Sequence, residues 1–372
     1  MRLVYLSPVP WESFAQRPHK FVHWAHSRTR KNIFWIDPYP TRFPRWSDFR
    51  RPPSTTTTGL VQDAPSWLKV LKPGGFPIEP LPGSALINRQ FWRPNLSALD
   101  ECANDSSTLL VIGKPSVLAL ELLERFFRCP SLYDAMDDFP AFYAGLSRIA
   151  LARREQMIAR RVDIIWASSS KLKIRWEGFH NDVRLVHNGL DLSVMPAMEQ
   201  VSTKSTKRIF GYVGTIGSWF DWDWIRTLAE SRPSDEIRLI GPVFEPPKTA
   251  LPGNVAMLPA CDHGLALKSM LQFDVGLIPF KSNALTASVD PIKYYEYRAL
   301  ALPVISTDFG EMHFRSDVPG VFVSRSLADM PSLAEAALRF NRDSIDNRLF
   351  ASQNSWEARF DAAGPLPAEV RT

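Results

Sequence analysis

The segment Ser288-Val289-Asp290-Pro291-Ile292-Lys293-Tyr294-Tyr295-Glu296-Tyr297 sets a lysine and a glutamate one helical turn apart behind an Asp-Pro pair. Asp290 fits a helix cap with Pro291 at the first helical position. A helix start offers free backbone N–H groups and the positive end of the helix dipole, both suited to a phosphate. Lys293 on the first turn adds a charge-assisted contact to the same group. Glu296 can accept two hydrogen bonds from ribose hydroxyls. The same spacing also fits a plain capping device followed by an exposed Lys–Glu pair. Gly214-Thr215 and Gly217 leave room for backbone to approach a diphosphate. No full GxGxxG is present, which counts against a dinucleotide oxidoreductase. Asp221-Trp222-Asp223 spells a DxD, but its place at a predicted helix start suits capping better than a metal.

These residues need elements to hold them. Arg2–Ser7, Asn32–Asp37, Thr108–Ile112, Ser131–Ala135, Asp163–Ala167 and Arg184–His187 are short apolar runs that read as strands. Helical patterns fall between them at His19–Arg28, Ser116–Phe127, Phe142–Arg161 and from Ser170. The stretch Pro52–Pro94, rich in Pro, Thr and Gly, reads as an elaborated loop. A second series follows, with strands at Arg208–Val213, Ile237–Ile240, Val255–Leu258, Asp274–Pro279 and Pro303–Ser306. Its helices fit at Trp222–Ser231, Gly264–Leu271 and Pro291–Ala301, with one more at Ser344–Phe360. Alternation of this kind predicts parallel sheets covered on both faces. The division expected is 1–191, a linker at 192–207, a second domain at 208–343 and a C-terminal helix and tail at 344–372. Ligands of such sheets bind at the carboxyl ends of the strands, here in the cleft between the domains.

The 372 residues suffice for about two domains. Hydrophobic residues at 45% and charged ones at 22% exclude a disordered chain. Cys102, Cys129 and Cys261 form neither a disulfide framework nor a zinc pattern, which predicts a reducing compartment. No apolar run approaches the roughly 20 residues of a membrane helix. Ser7-Pro8 follows the first apolar residues too soon for a signal-peptide core, so the expectation is a cytoplasmic protein. The net charge of +5 is uneven. Between Trp11 and Arg51, nine Lys and Arg residues meet only Glu12, Asp37 and Asp48, with aromatics interleaved. That region suits an anionic membrane surface, phosphorylated ligands or nucleic acid, or is a solvated basic face.

The run Asp290–Thr307, DPIKYYEYRALALPVIST, resembles the nucleotide-sugar-binding segment of bacterial glycosyltransferases of the GT-B fold, most of all the family 4-like enzymes of surface polysaccharide synthesis. Four further stretches agree in order. Gln16-Arg17-Pro18-His19 resembles a QRP segment after the first strand, and Tyr133–Phe139 a YDxxDD segment. Val186–Asp191, VHNGLD, is similar to a PNGVD strand end, and Gly211–Ile216 to the strand opening the donor domain. The chain departs from the family in having Ser288 where an E-x7-E pattern has its first Glu. It also lacks the Arg and Lys expected after the first donor-domain strand, where Gly217–Asp223 stands instead.

The resemblance implies an α/β fold of two Rossmann-like doubly wound parallel-sheet domains facing a cleft, with the C-terminal helix returning to the first. It implies a metal-independent, retaining hexosyltransferase that needs no cofactor, acting in the cytoplasm or on the inner face of the membrane. A nucleoside diphosphate sugar would be bound through Gly214, Thr215, Asn188, Asp290, Lys293 and Glu296. The acceptor, a glycan or polyprenyl-linked, would meet Arg17. His19, Asp137 and Asp138 would take the acceptor proton or steady charge on the sugar. The Asp pair equally fits a cap, and Asn188-Gly189 a simple turn. An anionic membrane is the expected partner surface and nucleic acid is not. The alternatives are a nucleotide-sugar epimerase of the same fold and a non-catalytic nucleic-acid-binding protein. Neither explains both the basic aromatic region and the absence of any nucleic-acid motif.

Overall fold

In a computed structural model, the structure describes residues 2–41, 64–76, 78–81, 83–196, 207–342 and 346–364. Arg42, Arg45, Arg50 and Arg51 of the basic region, and most of the expected linker, lie outside the described residues. The chain forms two compact units, one of residues 1–186 and 360–372 and the other of residues 187–359.

Unit 1 alternates β1 (Leu3–Leu6), α1 (Arg17–Thr29), β2 (Ile33–Ile36), β3 (Leu68–Leu71), α2 (Ser84–Ser97), α3 (Asp100–Ala103), β4 (Leu109–Ile112), α4 (Val117–Arg125), β5 (Ser131–Ala135), α5 (Gly145–Ala159), β6 (Ile164–Ala167), α6 (Ser170–Glu177) and β7 (Val183–Leu185). Among the described residues, its sheet is wholly parallel in the order β3-β2-β1-β4-β5-β6-β7. The central strands β1 and β4, LVYL and LLVI, are buried at every position, as a sheet covered on both faces requires. Local chemistry sets the helix starts. Ser116 Oγ accepts the Ala119 N–H at 3.1 Å to open α4, and Ser169 opens α6 in the same way.

Unit 2 runs β8 (Ile209–Val213), α7 (Trp222–Ser231), β9 (Glu236–Ile240), β10 (Val255–Leu258), α8 (His263–Met270), β11 (Val275–Ile278), α9 (Ile292–Ala299), β12 (Val304–Thr307), β13 (Val321–Ser324), α10 (Met330–Arg339) and α11 (Asn347–Gln353). Its described strands are also all parallel, in the order β10-β9-β8-β11-β12-β13. Two apolar layers cover the sheet, one built on α8 and α9 and the other on α7 and α10. Asp221 accepts the Trp224 N–H at 3.0 Å and caps α7, which accounts for the first carboxylate of the DxD.

Several expectations are corrected. The Pro-rich stretch 52–94 contains β3 and most of α2, which carries Pro94 inside it. The helix expected at Phe142–Arg161 is a 3-10 turn over Phe139–Phe142 followed by α5. The expected helix Ser344–Phe360 is α11 and then α12 (Trp356–Ala363). It breaks at Ser355, whose Oγ accepts the Ala358 N–H at 3.1 Å to start a new helix. Among the described residues no helix is long and apolar enough to cross a membrane.

The end of α12 belongs to unit 1, and one side chain shows why. Phe360 is fully buried and its ring lies 5.3 Å from those of both Phe21 and Trp24 and stacks on Trp166 at 5.7 Å. Close by, Trp24 Nε1 donates to Asp361 Oδ1 at 2.9 Å. Phe360→Ala is expected to destabilise unit 1 by about 3–5 kcal/mol, read from urea unfolding. A loss below about 1 kcal/mol would remove Phe360 from its core.

Candidate active site

The carboxyl ends of β8 and β9 leave unit 2 side by side, and glycine is needed at both. Gly241 has a φ of +143°, and a Cβ there would lie 2.1 Å from the Gly214 carbonyl oxygen. Gly214 has a φ of +153°, and its missing Cβ would meet the Tyr212 hydroxyl at 2.8 Å and Lys293 Cε at 3.7 Å. The Tyr212 hydroxyl donates to the Thr215 carbonyl at 2.9 Å and pins the turn. The result is a close backbone turn with a lysine stem against it.

Lys293 comes from the first turn of α9. Its Nζ lies 2.6 Å from Glu296 Oε2, and His263 Nε2 lies 2.8 Å from Glu296 Oε1. Burial would raise the Glu296 carboxyl, but Lys293 and His263 outweigh it and hold it below the usual carboxylate range. Glu296 is therefore an ionised, buried acceptor at neutral pH, with two cationic or donor groups that a ligand can displace. The structure thus brings together Gly214, Thr215, Lys293 and Glu296. It adds His263, which the sequence reading missed. Asp262 accepts the Leu265 N–H and makes His263 the first residue of α8, so an Asp-His pair at a helix start was the available signal.

Asp290 does not cap α9. The capping position is Pro291 and the first helical residue is Ile292, because the Asp290 carboxylate is committed elsewhere. It is buried and accepts from Arg315 Nη2 at 2.6 Å, the Tyr295 hydroxyl at 2.9 Å and the Asn188 backbone N–H at 2.7 Å. Asn188 Nδ2 returns a bond to the Asp290 carbonyl at 2.7 Å. Arg315 also stacks over the Tyr294 ring at 4.0 Å. His187 stands 3.6 Å from both Asp290 and Glu311. Asn188 and Asp290 therefore spend these groups on each other and their neighbours, and fix the strand-to-helix segment that carries Lys293 and Glu296.

Unit 1 sorts its expected residues differently. Arg17 is buried, with Nε 3.0 Å and Nη2 2.8 Å from Asp134 Oδ1, and Nη1 donating to the Val186 carbonyl at 2.7 Å. The Tyr5 hydroxyl donates to the same Asp134 at 3.2 Å. The expectation that Arg17 reaches an acceptor phosphate is corrected, because its guanidinium is used inside the core. His19 is corrected as well. It is buried, Nδ1 accepts the Gln16 N–H at 3.2 Å and Nε2 donates to the Trp11 carbonyl at 3.1 Å. Burial pushes its imidazole down to about 4, so it stays neutral and holds the loop before α1.

The acidic pair splits. Asp138 pairs with Arg175 Nη1 at 2.8 Å, and Arg175 Nη2 reaches Glu155 at 2.6 Å. Glu155 in turn accepts the Tyr133 hydroxyl at 2.6 Å. Asp137, just past the end of β5, is half-buried and makes no side-chain hydrogen bond or ion pair among the described residues. Burial pushes its carboxyl up to about 7, with Arg17 opposing and Asp134 and Asp138 adding to the rise. A carboxyl that titrates near neutrality and is not tied to a partner is the better proton acceptor of the two. Neither acid caps α5, whose capping residue is Ala144. Among the described residues, no group of three or more His, Cys, Asp and Glu is placed to hold a metal.

With the geometry in view, the architecture is the GT-B glycosyltransferase fold. Sucrose-phosphate synthase from Thermosynechococcus elongatus shares it with a TM-score of 0.67 and 14% identity, over 96% of each chain. HepE of Anabaena, solved with UDP and glucose, has a TM-score of 0.64 and 12% identity over 95% of each. The lipopolysaccharide outer core galactosyltransferase WaaB has a TM-score of 0.62 and 12% identity over 98% of this chain and 99% of its own. In sequence, the chain is 25% identical over 199 residues to the Bacillus subtilis protein named "Putative teichuronic acid biosynthesis glycosyltransferase TuaH". That match takes in 48% of this chain and spans about half, 50%, of the relative's length. No family model matches the chain.

The raised carboxyl of Asp137 has a consequence for stability. Its ordinary value is 3.8 and its folded value about 7, so the folded state holds the proton more tightly than the unfolded chain. Its contribution to stability is full below about pH 4 and is lost as pH rises through 7. Asp137→Asn is expected to leave stability at pH 4 unchanged and to raise it at pH 8 by on the order of 2 kcal/mol in urea unfolding. An equal effect at both pH values would contradict the raised carboxyl.

Proposed function

We propose that the chain is a glycosyltransferase that moves a sugar from a nucleoside diphosphate donor, bound by unit 2, to an acceptor bound by unit 1. The observation that carries this reading is the buried Glu296 carboxylate beside Lys293 and the Gly214-Thr215 turn. Glu296 accepts the two ribose hydroxyls in exchange for His263 and Lys293. Lys293, once released, moves its charge to the diphosphate. The GT-B fold and the names of the sequence relative and of the structural neighbours support the same class of chemistry.

In the transfer, the bond between the sugar's anomeric carbon and the phosphate oxygen breaks and its electron pair stays with the diphosphate. The acceptor hydroxyl oxygen bonds to the anomeric carbon, and its proton passes to the leaving diphosphate or to Asp137. Lys293 and the backbone of the turn offset the charge that builds on the leaving group, so the reading is of a metal-independent reaction. Retention of configuration and a cytoplasmic place of work are proposed on the likeness of Asp290–Thr307 to the family segment. A lipid-linked acceptor in surface polysaccharide synthesis fits the basic aromatic region Trp11–Arg51, of which Trp11 to Thr41 is described.

Thermal unfolding with UDP, GDP, ADP and CMP tests the donor site, with wild type and Glu296→Ala side by side. A ligand that binds only the folded state raises the melting temperature, by about 2.7 kcal/mol of added stability at a hundredfold excess over Kd. One nucleoside diphosphate is expected to stabilise the wild type and to lose most of that effect with Glu296→Ala. No stabilisation of the folded wild type by any of the four would overturn the reading.

A further inference from the structure

Each oxygen of the Glu296 carboxylate has a partner of its own. Lys293 Nζ lies 2.6 Å from Oε2 and His263 Nε2 lies 2.8 Å from Oε1. The two partners differ in origin. Lys293 stands one turn away on α9, whereas His263 comes from the start of α8. The Glu296 side chain is 5% exposed and that of His263 48%, so the imidazole links a buried carboxylate to solvent.

An ionised carboxylate only accepts hydrogen bonds, so Nε2 of His263 carries a proton. Its Nδ1 makes no hydrogen bond among the described residues and takes a second proton without breaking a contact. His19 and His180 are built differently, with both ring nitrogens bonded to the chain. The groups around His263 do not change charge near neutral pH. Burial opposes ionisation of Glu296, but Lys293 and His263 hold its carboxyl below the usual range. A lysine ammonium stays charged there. In the turn before α8, burial and Asp262 keep Cys261 a neutral thiol, and Asp262 is spent on the Leu265 N–H at 2.9 Å. Lys268 stands in the last turn of α8, and Tyr212 of β8 lies in the apolar layer on the other side of the sheet. The imidazole is the group here that switches charge between pH 6 and 8.

We infer that His263 is a proton-operated latch on the donor site: its imidazolium form holds Glu296 against the ribose, and its neutral form gives Glu296 up. The inference rests on the reading of Glu296 as the ribose acceptor. Ribose hydroxyls are neutral donors. Displacing a neutral imidazole exchanges one neutral hydrogen bond for another, whereas displacing an imidazolium breaks an ion pair at a buried oxygen. Nucleotide binding is therefore weaker in acid. By reciprocity, binding in acid drives a proton from His263 into the buffer.

Titration calorimetry with UDP, GDP and ADP at pH 6.0 and 8.0, each in two buffers of different ionisation enthalpy, is the experiment. Wild type is compared with His263→Gln, which keeps a neutral N–H donor, and with His263→Arg, which fixes the positive charge. From pH 8.0 to 6.0 the wild-type Kd is expected to rise about three- to fivefold more than that of His263→Gln. Wild type should also release a proton on binding at pH 6.0 that His263→Gln does not. Titration of the nucleotide's own phosphate is common to all three proteins and cancels in the comparison. His263→Arg should bind weakly at both pH values. Melting temperatures equal to wild type without nucleotide show that both variants fold. Nucleotide binding by wild type with the same pH dependence and proton release as His263→Gln would overturn the inference and leave the donor site standing. No binding of any of the three nucleotides by folded wild type would overturn the donor-site reading, and the latch with it.

Discussion

The structure of unit 2 depends on one buried ion pair, Asp290 with Arg315. A carboxylate taken out of water just before a helix needs partners, and removing one partner of such a pair costs about 3–5 kcal/mol. Arg315, Tyr295 and the Asn188 backbone supply those partners, and Asn188 closes the loop by bonding the Asp290 carbonyl. Because the carboxylate faces inward, the chain turns at Pro291 and enters α9 with Lys293 and Glu296 one turn apart. Lys293 and Glu296 are placed by a pair whose own charged groups are bonded to each other.

Unit 1 uses the same device at the end of β5. There Asp134 is the buried carboxylate and Arg17 its arginine, with Tyr5 as the hydroxyl donor. Once Asp134 is satisfied by Arg17 and Asp138 by Arg175, Asp137 is the acid of this segment left without a hydrogen-bond partner, and burial keeps its proton to about pH 7. In both units a bonded carboxylate–arginine pair fixes the backbone, at the end of β5 in unit 1 and just before α9 in unit 2. The group able to exchange partners or protons stands a few residues further on.

Much of this fold is legible in the sequence, because each strand buried on both faces is a short apolar run between polar turns. β5, β10 and α7 fall on the residues expected. What escaped were elements whose signals are local contradictions. β3 alternates Lys with apolar residues inside a Pro-rich stretch, α2 carries Pro94, and β13 follows a Pro-Gly turn. The site was legible only in part for a related reason. Lys293 and Glu296 announce themselves by helical spacing. The inward turn of Asp290 depends on Arg315, 25 positions along the chain, and no local pattern reports that. His19 and Arg17 read as reactive because their types are reactive, and only the tertiary structure shows their nitrogen atoms taken. His263 joins the site from a separate helix, and the Asp-His pair at that helix start gave no sign that it would meet Glu296.

The central claim is sugar transfer rather than nucleotide binding alone. The most direct measurement is release of nucleoside diphosphate from a panel of nucleotide sugars, with and without a polyprenyl-linked glycan fraction as acceptor. The account predicts release from one donor that depends on the acceptor, together with labelled sugar appearing in the lipid phase. Conversion of a nucleotide sugar to its epimer without acceptor, or no turnover of any donor by a folded chain that binds nucleotide, would contradict it.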